Sequence, residues 1–164
     1  MTQKSINDLS YRIIGAVIEV HKIMGRGLLE SVYHKCLIEE LNLKGIAHES
    51  EFKIPVIYKG KVLETDFRCD LIIENKIIVE LKAIQEFHPF HEAQLLNYMQ
   101  LTKIPKGILI NFNCNNIFNE GQKTFEDNFA KAIISFSQQT KAIVQPIVQV
   151  DAPEYGDIDL EITQ

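Results

Sequence analysis

The sequence predicts an α/β layered domain, with strands packed between helices in the order ααβββαβα. Three observations carry this. Two amphipathic helical repeats open the chain, and the hydrophobic period switches from helical to strand-like after Gly45. With 46% apolar residues in 164 positions, the chain can also bury one sizeable core but hardly two.

Residues 7–24 place Leu9, Ile13, Ile14, Val17, Ile18 and Met24 near a helical repeat, with Ser5 or Asn7 as the N-cap. Gly25-Arg26-Gly27 interrupts it. A second helix over 28–44 repeats Leu29, Val32, Tyr33, Cys36, Leu37 and Leu41 at intervals of three and four. Gly27 as its N-cap sets Glu30 at the third helical position, and Gly45 suits the C-terminal cap. Phe52, Ile54, Val56 and Tyr58 then alternate with Lys53, Pro55, Ile57 and Lys59 as a strand, and Lys59-Gly60-Lys61 reads as a tight turn. Strands over 62–73 and 76–83, joined at Glu74-Asn75-Lys76, complete an antiparallel meander whose first strand Pro55 places at an edge. A helix over 89–102, a buried strand over 107–112 and an Asn-rich loop over 113–116 follow. Phe125, Phe129, Ala132, Ile133 and Phe136 suggest a last amphipathic helix over 123–138, and 143–150 suggests an edge strand. The expected division is a domain over 1–140 and a C-terminal extension over 141–164 that ends in an acidic, mobile tail.

Charge is distributed unevenly. The formal net charge of −5 argues against bulk electrostatic coating of nucleic acid, yet 151–164 holds Asp151, Glu154, Asp157, Asp159 and Glu161 with no Lys or Arg. The first 150 residues therefore balance 17 acids against 17 bases. Cys36, Cys69 and Cys114 are odd in number and lack CxxC spacing, and the N-terminus has no apolar signal segment, so a reduced cytoplasmic protein is expected. No apolar run reaches the roughly 18 residues of a membrane span.

The chemistry concentrates in 66–83. Residues two apart in a strand share a face, so Glu80 and Lys82 point one way while Val79 and Leu81 point the other. A hairpin centred on Asn75 brings Asp70 opposite Glu80. Two carboxylates and an ammonium on one face suit a hard divalent cation and phosphodiester hydrolysis. Glu-x-Lys alone says little, since the chain also contains Glu51-Phe52-Lys53 and Glu74-Asn75-Lys76, and exposed cross-strand ion pairs give the same pattern. Only Glu80-Leu81-Lys82 combines a central strand with an opposing aspartate. Gln94 and Tyr98 lie one turn apart on a helix face, where they can bond a phosphate, a water or the lysine. Glu30 has an ordinary role as a helix N-terminal carboxylate.

Taken together, Val20-His21-Lys22, Gly25-x-Gly27-Leu28-Leu29-Glu30-x-x-Tyr33, Arg68-x-Asp70-Leu71, Glu80-Leu81-Lys82-Ala83, His91-Glu92-Ala93-Gln94-Leu95-Leu96-Asn97-Tyr98 and Leu109-Ile110-Asn111-Phe112 closely resemble the bacterial GxxExxY family of the PD-(D/E)XK nuclease-like superfamily. The resemblance runs from about residue 8 to 113 and leaves 114–164 outside. It implies a restriction-endonuclease-like three-layer core, a mixed central sheet flanked by helices. It implies Asp70 and Glu80 as ligands of Mg²⁺ or Mn²⁺ and Lys82 as the residue that positions the nucleophile. Gln94 and Tyr98 match the Gln-x-x-x-Tyr element of the branch related to the exonuclease V nuclease domain. A further ligand falls to His21 or Glu30, on either side of the glycine break, with Glu30 preferred as a third hard oxygen. Cys69 stands where the motif's proline would be. His34, His48, His88 and His91 are expected to be surface or packing residues.

The expected function is a metal-dependent nuclease acting on DNA rather than RNA, in repair, mobile-element or defence processing. The alternative is a non-catalytic nuclease-fold module that binds a protein partner or dimerises, which the neutral charge of the first 150 residues favours.

Overall fold

The computed structural model describes residues 3–126, arranged as a mixed sheet between two helical layers. The remainder of the expected helix beyond 126, the strand over 143–150, the acidic tail and the boundary at 140 lie outside the described residues.

Helix α1 (Gln3–Met24) begins earlier than expected, so Ser5 and Asn7 lie inside it and do not cap it. Asn7 accepts a hydrogen bond from the buried Lys106 ammonium at 3.0 Å instead. Helix α2 (Glu30–Leu43) has Leu29 as N-cap, which makes Glu30 the first helical residue and not the third. Gly25 and Gly27, at φ 69° and 91°, carry the chain through left-handed conformations between the two helices. Tyr33 pins that connection: its hydroxyl donates to the Gly25 carbonyl at 2.7 Å and accepts from Leu28 N–H at 3.3 Å. Its ring stacks on Phe112 at 4.3 Å. At the far end of α2, Gly45 N–H donates to Asn42 O and Ile46 N–H to Leu41 O, closing the helix with glycine as expected.

The expected meander is interrupted. The first strand divides into β1 (His48–Lys53) and β2 (Val56–Tyr58), and the second into β3 (Lys61–Leu63) and β4 (Arg68–Ile73). Pro55 cannot donate to a ladder, and buried Ile54 bonds through its N–H to Phe67 O at 2.9 Å, so the chain between them leaves the main sheet. β2 and β3 form a separate two-stranded hairpin around Lys59-Gly60. β5 (Ile77–Lys82), α3 (Pro89–Thr102) and β6 (Lys106–Asn111) follow within a residue or two of expectation. Residues Gln122–Glu126 are not the start of a helix: they form β7, antiparallel to β6, with Phe125 opposite Gly107. The otherwise open edge of β6 captured them, and Phe125 fits a strand period as well as a helical one.

The main sheet runs β1-β4-β5-β6-β7, with β5 and β6 parallel and the other neighbours antiparallel. Alternation separates two cores. Leu71, Ile73, Ile77, Val79, Leu81, Ile108 and Ile110 pack with α1 and α2, whereas Ile72, Ile78 and Leu109 pack with Leu95, Tyr98 and Met99 of α3. Gly107 permits the close approach of α3, since an added Cβ would meet Met99 Sδ at 2.6 Å. This mixed sheet flanked by helices is the restriction-endonuclease-like core that the family resemblance implied.

Candidate active site

The β4–β5 ladder pairs Leu71 with Val79, Ile72 with Ile78 and Ile73 with Ile77, symmetrically about Asn75 as expected. Extended by one residue, that register sets Asp70 against Glu80, and there the backbone ladder gives way. Leu81 N–H donates to Asp70 Oδ2 at 2.7 Å, and Asp70 N–H makes a longer bond to Glu80 Oε2 at 3.4 Å. On the other flank the β1–β4 pairing passes from Ser50–Leu71 to Phe52–Cys69, and Glu51 takes φ 50°. The strand's alternation breaks at the same place, because Cys69 joins Ile72 in the α3-side core while Leu71 faces α1 and α2. Distortions of this kind re-aim side chains at the ends of ladders.

Glu80 is only 3% exposed, and its Oε1 accepts from Lys82 Nζ at 2.8 Å. Burial, then the nearby Asp70 charge, push the Glu80 carboxyl up to about 7, with Lys82 and the Asp70 N–H opposing. Burial is the largest influence on Lys82 and opposes its charge, but Glu80, through its charge and hydrogen bond, together with Glu30 and Asp70 raises the ammonium above its ordinary range. Lys82 is therefore a fixed cation at neutral pH. The end of its strand is held by Asn111, 5% exposed, which brackets Ile84: the amide donates to Ile84 O at 2.8 Å and accepts from Ile84 N–H at 3.1 Å.

Glu30, half-buried at the start of α2, comes into the electrostatic reach of the same group. Burial raises its carboxyl, Asp70 adds to the effect, and Lys82, the Ala83 backbone and His34 oppose it. His21 is engaged elsewhere, its Nε2 lying 3.0 Å from the Cys114 carbonyl. In α3, Gln94 Nε2 donates to Tyr98 Oη at 2.8 Å. Tyr98 is a buried residue whose ring lies 4.8 Å from that of Phe67; burial and the Glu80 charge raise its hydroxyl, which stays protonated. Burial pushes the Cys69 thiol up to about 12, so it supplies neither thiolate nor nucleophile.

Sequence reasoning passed over two neighbours of this group. His34 Nε2 lies 3.3 Å from the Asp70 carbonyl and 3.2 Å from Ser50 Oγ; its spacing of four from Glu30 on one helix was the available signal. His91, the third residue of α3, has its imidazole lowered by burial and then by Lys82, and its Nδ1 accepts from His88 N–H within a capping box. The residue His88 thus caps a helix.

Mg²⁺ is commonly held by one or two carboxylates together with water and phosphate oxygens. Asp70 and Glu80 fit that requirement. Asp70 commits Oδ2 to Leu81 N–H, whereas Glu80 gives Oε2 to Asp70 N–H and Oε1 to the Lys82 ammonium, and a cation would relieve both the burial and the Asp70 repulsion that raise Glu80. Among the described residues no three His, Cys, Asp or Glu donors converge on one point, so the set offered is this pair.

A family model described as the PD-(D/E)XK nuclease superfamily matches residues 7–125. That match continues through β7, past residue 113 where the sequence motifs stop. No curated protein matches the chain. Among solved structures, the crystal structure of SSO0001 is similar at 23% identity and a TM-score of 0.45, covering 71% of this chain and 59% of that one. This chain therefore spans less than two thirds of that protein's length. No helix among the described residues is long and apolar enough to cross a membrane.

Proposed function

The chain belongs to the PD-(D/E)XK nuclease superfamily, and on that premise we propose that it is a divalent-metal-dependent phosphodiester hydrolase acting on DNA. The observation that carries the reading is the opened end of the β4–β5 pair, where Asp70, Glu80 and Lys82 meet. Asp70 and Glu80 hold the cation, Mg²⁺ or Mn²⁺. Of the two further candidates, Glu30 is preferred to His21 as a carboxylate near that pair, since it shares the field of Asp70 and Lys82 while His21 lies against the Cys114 carbonyl. When bound, such a cation supplies Lewis-acid stabilisation of a scissile phosphate and acidifies water.

The chain's own groups do the rest. Lys82, held as an ammonium, orients the attacking water and offsets charge that develops on the phosphate. It does not act as a base. Gln94 donates to the Tyr98 oxygen and leaves the phenol proton as a donor within the field of Glu80. Asn111 holds the Lys82 strand end in place through Ile84. The Gly27, Glu30 and Tyr33 spacing supports assignment to the GxxExxY branch, with a cytoplasmic role in repair, mobile-element or defence processing. Incubation with single- and double-stranded DNA, and with RNA, in Mn²⁺ tests the proposal. Cleavage of DNA that vanishes in Lys82→Ala is expected; wild type and Lys82→Ala behaving alike on every substrate would overturn it and leave a non-catalytic module.

A further inference from the structure

The β2–β3 hairpin plays no part in the site described, yet it gathers exposed Ile57, Tyr58 and Val62 beside Lys59 and Lys61. We propose that it is a nucleic-acid-gripping arm that holds a single strand beside the Asp70–Glu80 site; this rests on the nuclease reading and extends it.

Four observations support the arm. Residues 52–63 hold Lys53, Lys59 and Lys61 and no acid, in a chain whose first 150 residues are neutral. Tyr58 is 62% exposed at the tip, opposite Lys61, with Lys59 Nζ 5.5 Å from its ring centroid. Ile57 and Val62, cross-strand partners, are also exposed, so neither face of the hairpin is buried in its own protein. Finally, Lys59 sits at φ 48° in the two-residue turn, where Asn, Asp or Gly would be easier, so the tip carries a charge at a position that strains its backbone.

The arm is also tied to the site. Its neck closes through the Ile54–Phe67 backbone bond, and Phe67 packs on Tyr98, which Gln94 contacts. A cleft of about 630 Å³ lined by Val56, Thr65, Asp66, Phe67, Asn97 and Leu101 joins the hairpin base to α3. Carboxylates flank the hairpin at its base, where Glu51 and Asp66 pair with Arg68 at 3.5 and 3.8 Å and Glu64 directly follows β3, so the positive charge lies at the Lys59–Lys61 tip. An aromatic ring flanked by ammonium groups matches a single strand, where bases stack and phosphates pair. A second copy fits poorly, since it would set the same lysines against each other.

The test is fluorescence anisotropy of the full chain with a labelled single-stranded oligodeoxynucleotide in EDTA, where nothing is cut, over a range of salt. Tyr58→Ala should weaken binding roughly tenfold. Lys59→Ala combined with Lys61→Ala should make the salt slope shallower by about 1.4, at about 0.7 per phosphate contact. Circular dichroism should show both variants folded, since the side chains removed are exposed. If wild type cuts DNA in Mn²⁺ while both variants keep wild-type affinity and slope, the arm is wrong and the nuclease reading stands. Wild type that neither binds nor cuts overturns both. A change in oligomeric state without loss of affinity makes the hairpin a protein interface and also overturns the arm.

Discussion

The two ends of the β4–β5 pair contrast sharply. Toward the turn, Ile72, Ile73, Ile77 and Ile78 are buried and their backbones form a regular ladder. One residue past Leu71 and Val79, the backbone partners are replaced by the carboxylates of Asp70 and Glu80, and the apolar sheet ends in a charged group. The same two strands are thus zipped by packing at one end and held open by side chains at the other. The zipped end secures the fold, so the open end can keep like charges together at a cost in stability.

Substitutions at the two ends should separate these roles. The largest effect belongs to the open end: Lys82→Ala should slow DNA cleavage by roughly a hundred to a thousandfold in single-turnover assays, as expected for loss of a preorganised charge. At the zipped end, Ile78→Ala should cost about 2–5 kcal/mol in urea unfolding while the remaining folded protein keeps its activity. Asp70→Asn should do the opposite. It retains an oxygen for Leu81 N–H and removes the repulsion on Glu80, so the metal-free protein should gain about 1 kcal/mol while cleavage is lost. Equal destabilisation by Asp70→Asn and Ile78→Ala would erase the contrast.

The gentlest effect is on pH dependence. The Glu80 carboxyl titrates near its ordinary 4.5 when unfolded and at about 7 when folded, so between those values the folded state holds a proton that the unfolded state has lost. Stability of the metal-free protein should therefore decline as pH rises from 4.5 through 7 and level off above, and Glu80→Gln should flatten that decline. Thermal melts across this window, in EDTA, check the sign.

How much was legible depended on whether the signal was local. The pairing about Asn75 and the α3 limits followed from a period of two and a period of 3.6, both carried by buried residues. The division of the first strand was written in Pro55, which marked an edge but did not reveal that a hairpin leaves the sheet there. β7 was misread because Phe125 belongs equally to a helical repeat with Phe129 and to a strand facing Gly107, and only the β6 edge decides. In the site, the juxtaposition of Asp70, Glu80 and Lys82 needed only the turn centre. The roles of Tyr33, His34 and Asn111 did not follow, because each depends on a partner distant in sequence, the Phe112 ring for the first, the Asp70 carbonyl for the second and the Ile84 backbone for the third.

If the proposed chemistry is right, the open end must bind a divalent cation between Asp70 and Glu80. Calorimetric titration of the metal-free protein with Mn²⁺, above pH 7 so that Glu80 is ionised, tests it directly. Saturable binding that disappears in Asp70→Asn is expected. Absence of binding, or equal binding by the folded Asp70→Asn protein, would contradict it.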